Sequence, residues 1–133
     1  MKVKEVMNPN IYTIEIDETP TTAFKKMYEL GIRRLFIFNK DEKPIGILSY
    51  YDIMTLLATL ESKEETDKTT IKEIMTEEIN TINQNEDIQS AANLMLRADI
   101  SGLLVINDNN VAVGVITKTD LCRLISISNI TPL

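Results

Sequence analysis

A chain of 133 residues has room for one compact domain or two small, closely joined halves. Its net charge of −6 argues against general affinity for nucleic acid, which needs a basic face. The lack of histidine removes the usual general base, and the single Cys122 excludes an internal disulfide or a thiolate metal cluster.

The opening, MKVKEVMNPN, lacks the apolar core of a signal peptide. IYTIEI (11–16) alternates weakly and predicts a short strand. Thr19 and Pro20 suit the N-cap and first position of a helix. Ala23, Phe24, Met27 and Leu30 then recur at helical spacing, and Gly31 suits a left-handed helix end. LFIF (35–38) is a short continuous apolar run, which predicts a buried strand. KDEKP (40–44) predicts a turn, PIGILS (44–49) a strand and DIMTLLATL (52–60) a second helix. ATLESKEETDKTT (58–70) carries a charge run and predicts a solvated helix end followed by a linker. Beyond it, a helix over 87–98 uses Ile88, Ala91, Met95 and Ala98. Strands follow at 103–107 and 111–117, and a last helix starts near 118. No apolar run approaches the ~20 residues that span a bilayer, so the expectation is a cytoplasmic protein without a membrane segment. Asp108-Asn109-Asn110 lacks the glycine and terminal glutamate of a calcium loop and predicts a turn; Asn129-Ile130-Thr131 matches a glycosylation sequon by chance.

The order is the same twice. At an offset of 68 (71 − 3), residues 3–57 fall on 71–125 without a gap. VKEVM meets IKEIM, Ala23 and Met27 meet Ala91 and Met95, and Gly46 and Asp52 meet Gly114 and Asp120. The expected organisation is therefore a first repeat over 1–61, a linker over 62–70 and a second repeat over 71–133. One copy alone would be a marginal fold, which favours two units packed sheet to sheet about a pseudo-twofold. Met27 and Met95 are expected in the core. Met7 and Met75 are expected to pack across the repeat interface, and Cys122, aligned with Met54, is expected to be a buried thiol.

GILSYYD (46–52) and GVITKTD (114–120) share a glycine, a hydroxyl and a carboxylate at one spacing. Ser49 and Asp52, like Thr117 and Asp120, stand three apart at a strand-to-helix junction, the spacing of a capping box. The same atoms suit a ligand, because a helix start offers unpaired N–H groups to phosphate and a short carboxylate accepts from vicinal ribose hydroxyls. Both readings stand. A cap does not explain Gly46 and Gly114, because glycine inside a strand marks close approach by a ligand or another backbone.

The duplicated unit, with its VMNPNIYTI and IMTEEINTI openings, ADISGLLVIND (98–108) and its doubled G-h-h-[ST]-x-x-D, resembles a pair of cystathionine-β-synthase (CBS) domains, a Bateman module, over about residues 3 to 126. The resemblance implies an α+β fold of two β-α-β-β-α units with adenosine nucleotides in two clefts. One cleft would pair Tyr12, Thr13, Ile32 and Arg33 with Thr117, Thr119 and Asp120. The other would pair Asn80, Thr81, Ile100 and Ser101 with Ser49, Tyr51 and Asp52. Main-chain groups at 13, 32, 81 and 100 would read much of the adenine. Arg33, Arg34 and Lys118 are phosphate candidates, and Tyr51 is placed to stack on a base or to block its cleft. Where the family often has Pro in the second strand, this chain has Phe36 and Leu104.

The expected function is regulatory sensing of AMP, ADP, ATP or S-adenosylmethionine, with no cofactor required. The alternative is a structural dimerisation module with empty clefts. Helices carrying Ile53, Leu56, Leu57 and Leu60, and Leu121, Leu124 and Ile125, would offer apolar surface for a homodimer. Either module would act on a separate effector protein. The lack of histidine and of a nucleophile–base pair argues against an enzyme.

Overall fold

The computed structural model describes residues 1–59 and 62–127, with the side chains at 63 and 127 left aside. Leu60 and the sequon at 129–131 therefore lie outside the described residues. In chain order the elements are α1 (Val3–Val6), β1 (Thr13–Ile14), α2 (Pro20–Leu30), β2 (Arg34–Phe38), β3 (Pro44–Ser49), α3 (Tyr50–Thr59) and α4 (Lys63–Lys68). They continue with α5 (Ile71–Ile74), β4 (Thr81–Asn83), α6 (Ile88–Ala98), β5 (Gly102–Ile106), β6 (Ala112–Thr117) and α7 (Lys118–Ile127). The fold is α+β, with two three-stranded sheets ordered β1-β2-β3 and β4-β5-β6. Two compact units emerge, one of Tyr12–Ile79 and one of Met1–Ile11 with the chain from Asn80 onward.

In the Tyr12–Ile79 unit, β1 runs parallel to β2 and β3 antiparallel to it, with Arg34 opposite Ser49 and Leu35 opposite Leu48. Strand alternation sends Ile14, Leu35, Ile37 and Leu48 to one face, where Ala23 and Met27 of α2 and Ile53 of α3 complete the core. Thr19 caps α2, its hydroxyl accepting from the Thr22 N–H at 3.1 Å, and Gly31 ends it at φ 66°. The segment expected to be a solvated linker carries α4. Thr66 on that helix is buried, and the Asp67 carboxylate accepts from Thr21 N–H in the first turn of α2 at 3.3 Å. The unit is completed by α5, whose Ile71 has no exposure. Just beyond it Thr76 exchanges two backbone hydrogen bonds with Ile47, each 2.9 Å.

The other unit repeats this plan. Thr81 stands opposite Leu104, and Gly102 opposite Thr117. Ile82, Ala91, Met95, Leu103, Val105 and Ile116 form its core together with Val3 of α1. Asp99 ends α6 in the left-handed region at φ 52°, in the place of Gly31. Each compact unit thus takes its short helix from the opposite sequence copy: α5 serves the first sheet and α1 the second. Burying Val3 and Ile71 contributes roughly 1.5–3 kcal/mol apiece.

The expected turn at 108–110 is present: the Asn107 carboxamide oxygen accepts from Asn109 N–H and Val111 N–H at 2.9 and 3.0 Å. Met27 and Met95 lie in the cores, as their spacing predicts. Cys122 is exposed rather than buried. Leu121 and Leu124 are half-buried apolar residues of α7, and Cys122 lies on its outer side, as does Met54 on α3, 61% exposed. Ile53, expected at an apolar surface, is buried, whereas Leu57 and Ile125 are exposed. Among the described residues, no helix is long and apolar enough to cross a membrane, and no cluster of His, Cys, Asp or Glu is placed to hold a metal ion.

Candidate functional site

Each sheet ends in the same polar construction. At the end of β3 the Asp52 Oδ2 accepts from the Ser49 N–H at 2.8 Å and from the Ser49 hydroxyl at 3.0 Å. The Asp52 N–H donates back to the Ser49 Oγ at 3.3 Å. At the end of β6 the Asp120 Oδ2 accepts from the Thr117 N–H and hydroxyl at 2.8 and 2.9 Å, and the Asp120 N–H donates to Thr117 Oγ1 at 3.2 Å. These are reciprocal caps, formed with Asp where Glu or Gln is usual. Both carboxylates are half-buried at the first turn of a helix, where they face its positive end. The Asp120 Oδ1 lies 3.7 Å from Arg123 Nη1.

The helix starts are also tied to the residue that precedes the central strand of their own sheet. Tyr50 N–H donates to the Arg33 carbonyl at 2.9 Å, and Lys118 N–H to the Ser101 carbonyl at 3.0 Å. In the first unit this brings Arg33, Arg34, Ser49 and Asp52 to one end of the sheet. Arg34 is half-buried, while Arg33 and Tyr51 are exposed, Tyr51 at 77%. In the second unit Ser101, Thr117 and Asp120 are grouped the same way, with Lys118 and Thr119 exposed beside them. The expected cross-copy groupings draw one set from each unit: Tyr12, Thr13, Ile32 and Arg33 belong to the first, Thr117, Thr119 and Asp120 to the second.

Several candidates are already engaged within their unit. Tyr12, Ile32 and Ile100 pack their side chains against the cores. The N–H groups of Ile32 and Ile100 donate to the Met27 and Met95 carbonyls at 3.0 Å each, closing α2 and α6, and are thereby spent as readers of an adenine. The Asn80 carbonyl accepts from Leu104 N–H at 3.0 Å. The Thr13 carbonyl accepts from the Lys26 ammonium. Lys26 was not singled out from the sequence; its i, i+3 relation to Ala23 on α2, with a cation on a half-buried helix face, was the available signal. Thr81 is exposed and retains its side chain for contact.

The two strand glycines answer to packing. A Cβ on Gly114 would stand 2.7 Å from the Asn8 carbonyl oxygen and 2.7 Å from Met7 Sδ; one on Gly46 would run into the Met75 side chain. Another backbone and a methionine make the close approach, rather than a ligand. Met7 and Met75 thus pack across sequence copies, each on the sheet that its short helix serves.

Comparison with known proteins adds to this geometry. The CBS domain family profile matches residues 3–59 and 71–127. The fold is similar to the CBS domain pair of protein MJ0100, solved in complex with 5′-methylthioadenosine and S-adenosyl-L-methionine. That match has a TM-score of 0.84 and 29% identity, over 97% of this chain and 98% of that one. Uncharacterized protein MJ1232 of Methanocaldococcus jannaschii is 29% identical over 95% of this chain, which spans 40% of the relative. An L-aspartate semialdehyde sulfurtransferase of the same organism is 30% identical over 92% of this chain, which spans 23% of the relative. The chain therefore spans less than half the length of these two relatives.

Proposed function

Because the chain belongs to the CBS domain family, we propose that it is a regulatory module that binds an adenosine-containing ligand and passes the binding free energy to a separate effector protein. The observation that carries this reading is the doubled cap: the same hydroxyl–carboxylate pair, half-buried and pinned by the same three hydrogen bonds, closes both sheets. Such a carboxylate is already oriented when a ribose arrives, so little ordering cost falls on binding. The likeness to a CBS domain pair solved with two adenosyl compounds supports the ligand class. In this proposal Asp120, with Thr117 and Thr119, acts with Tyr12, Thr13, Ile32 and Arg33 on one ligand. Asp52, with Ser49 and Tyr51, acts with Asn80, Thr81, Ile100 and Ser101 on another. At 32 and 100 the groups left for the ligand are the carbonyls, since the N–H groups are used.

S-adenosylmethionine, 5′-methylthioadenosine, AMP, ADP and ATP are the ligands to test. Thermal melting decides: a ligand at a hundred times its Kd adds about 2.7 kcal/mol, a rise of roughly 10 °C for a chain of this size. Asp120→Ala removes that rise for one ligand position. A parent chain whose melting temperature is indifferent to every adenosyl compound overturns the reading.

A second reading, a dimerisation scaffold, rests on a separate observation. Phe24, Tyr28, Tyr51, Met54 and Leu57 are exposed on α2 and α3, and Phe24 stacks on Tyr28 and Tyr50 at centroid distances of 6.4 and 5.7 Å. Sedimentation velocity on the parent and on Tyr28→Glu tests it: a homodimer built on this face dissociates in the variant. The two readings are compatible.

A further inference from the structure

If the caps hold ribose as proposed, their two carboxylates are not equally free to do so. In each cap one carboxylate oxygen is already full. The Asp120 Oδ2 accepts from the Thr117 N–H and hydroxyl, and the Asp52 Oδ2 from the Ser49 N–H and hydroxyl. A carboxylate oxygen takes about two hydrogen bonds, so a pair of vicinal hydroxyls is left with the Oδ1 of either residue.

At Asp120 that oxygen is already attended. Arg123 lies three residues further along α7, on the same helix face, and its Nη1 stands 3.7 Å from the Asp120 Oδ1. That separation makes an ion pair rather than a hydrogen bond. At the equivalent place (123 − 68 = 55) the first copy has Thr55. Thr55 carries no charge, and its hydroxyl donates to the Tyr51 carbonyl at 2.8 Å, within its own helix. Among the described residues, the ion pair is therefore made at Asp120 and not at Asp52. The caps themselves are otherwise alike, with bonds of 2.8, 3.0 and 3.3 Å at Asp52 against 2.8, 2.9 and 3.2 Å at Asp120.

The Asp120 side chain is 14% exposed and that of Arg123 65%, so the guanidinium reaches from solvent onto a half-buried acid. A ribose that takes Oδ1 has to move the guanidinium aside and loses its attraction. An exposed pair of this kind changes an affinity by no more than about fivefold. We infer that Arg123 guards the Asp120 carboxylate. It is a positioning residue that competes with the ribose for Oδ1 and lowers the affinity of that ligand position for uncharged adenosyl compounds. The Asp52 position has no such competitor from its own helix, so one repeated cap serves two thresholds.

Calorimetric titration of the full chain with 5′-methylthioadenosine, which carries no charge, tests this. Asp52→Ala leaves the Asp120 position to be read, and Asp120→Ala leaves the Asp52 position. Adding Arg123→Thr to Asp52→Ala is expected to tighten binding about two- to fivefold, and adding it to Asp120→Ala to change nothing. Raising the salt from about 0.01 M to about 1 M shortens the screening length from ~30 Å to ~3 Å. It is expected to favour binding more in Asp52→Ala than in Asp120→Ala, a difference that vanishes with Arg123→Thr and persists in part with Arg123→Lys. A merely structural role for Arg123 produces no such salt response. Binding that is unchanged or weaker when Arg123→Thr joins Asp52→Ala, or an equal change in Asp120→Ala, overturns the inference alone. A parent chain that binds neither 5′-methylthioadenosine nor any other adenosyl compound overturns the adenosyl reading with it.

Discussion

Asn8 and Val115 exchange both backbone hydrogen bonds, each 2.8 Å, so that the chain's opening segment is bridged to β6 at this one pair. Gly114 lies beneath that contact. An alanine there meets the Asn8 carbonyl oxygen, a backbone atom held by the bridge, as well as Met7. At Gly46 the obstacle is the Met75 side chain, which can rotate away. Gly114→Ala should therefore cost about 2–3 kcal/mol and Gly46→Ala about 1 kcal/mol in urea denaturation. Adding Met75→Ala should recover much of the Gly46→Ala loss, and adding Met7→Ala should leave most of the Gly114→Ala loss in place.

The ends of α2 and α6 give a second contrast. Gly31 adopts φ 66° at no steric cost, while Asp99 holds φ 52° in the same role. Gly31→Ala should destabilise by about 1 kcal/mol although its surroundings are open, and Asp99→Gly should stabilise by about 0.5–1 kcal/mol. Shifts of opposite sign in the urea midpoint, with unchanged slope, are the expected result.

The caps at Asp52 and Asp120 have a stability role separable from ligand binding. Ser49→Ala and Asp52→Ala should each cost about 1 kcal/mol, and the double variant less than the sum, because both remove the same bonds. Melting without ligand reads the cap; the rise on adding ligand reads the site. A variant that keeps the full rise while melting lower assigns Asp52 to the cap alone.

Asp67 of α4 closes the start of α2, whereas at the start of α6 the Ile88 N–H donates to the Met1 carbonyl at 3.1 Å. Asp67→Ala should cost about 1 kcal/mol and speed amide exchange at Thr21, leaving Ile88 unaffected. Equal effects at both positions would show that the two helix starts are coupled.

The duplication, the strand and helix order and the doubled cap are all legible in the sequence, because each rests on local spacing: period 2 in PIGILS, helical recurrence of Ala23, Met27 and Leu30, three residues from Ser49 to Asp52. The short helices α1 and α5 are not, since four residues carry too little periodicity to register. Which sheet they serve is a long-range fact that VKEVM and IKEIM do not encode locally. The same limit governs the glycines. Composition says that something comes close to Gly46 and Gly114; only the fold says that it is Met75, Met7 and Asn8. Cys122 misleads for another reason, because helix neighbours one residue apart face different sides, and an apolar residue beside Leu121 need not share its burial.

The crossing of the two opening segments has a consequence for how this molecule can be taken apart. A fragment cut along the sequence duplication carries a foreign short helix and lacks its own, so each excised half exposes an unpaired β-edge and a hole where Val3 or Ile71 belonged. Two such fragments, each holding the piece the other needs, should reassemble on mixing, whereas residues 12–79 alone keep a complete unit.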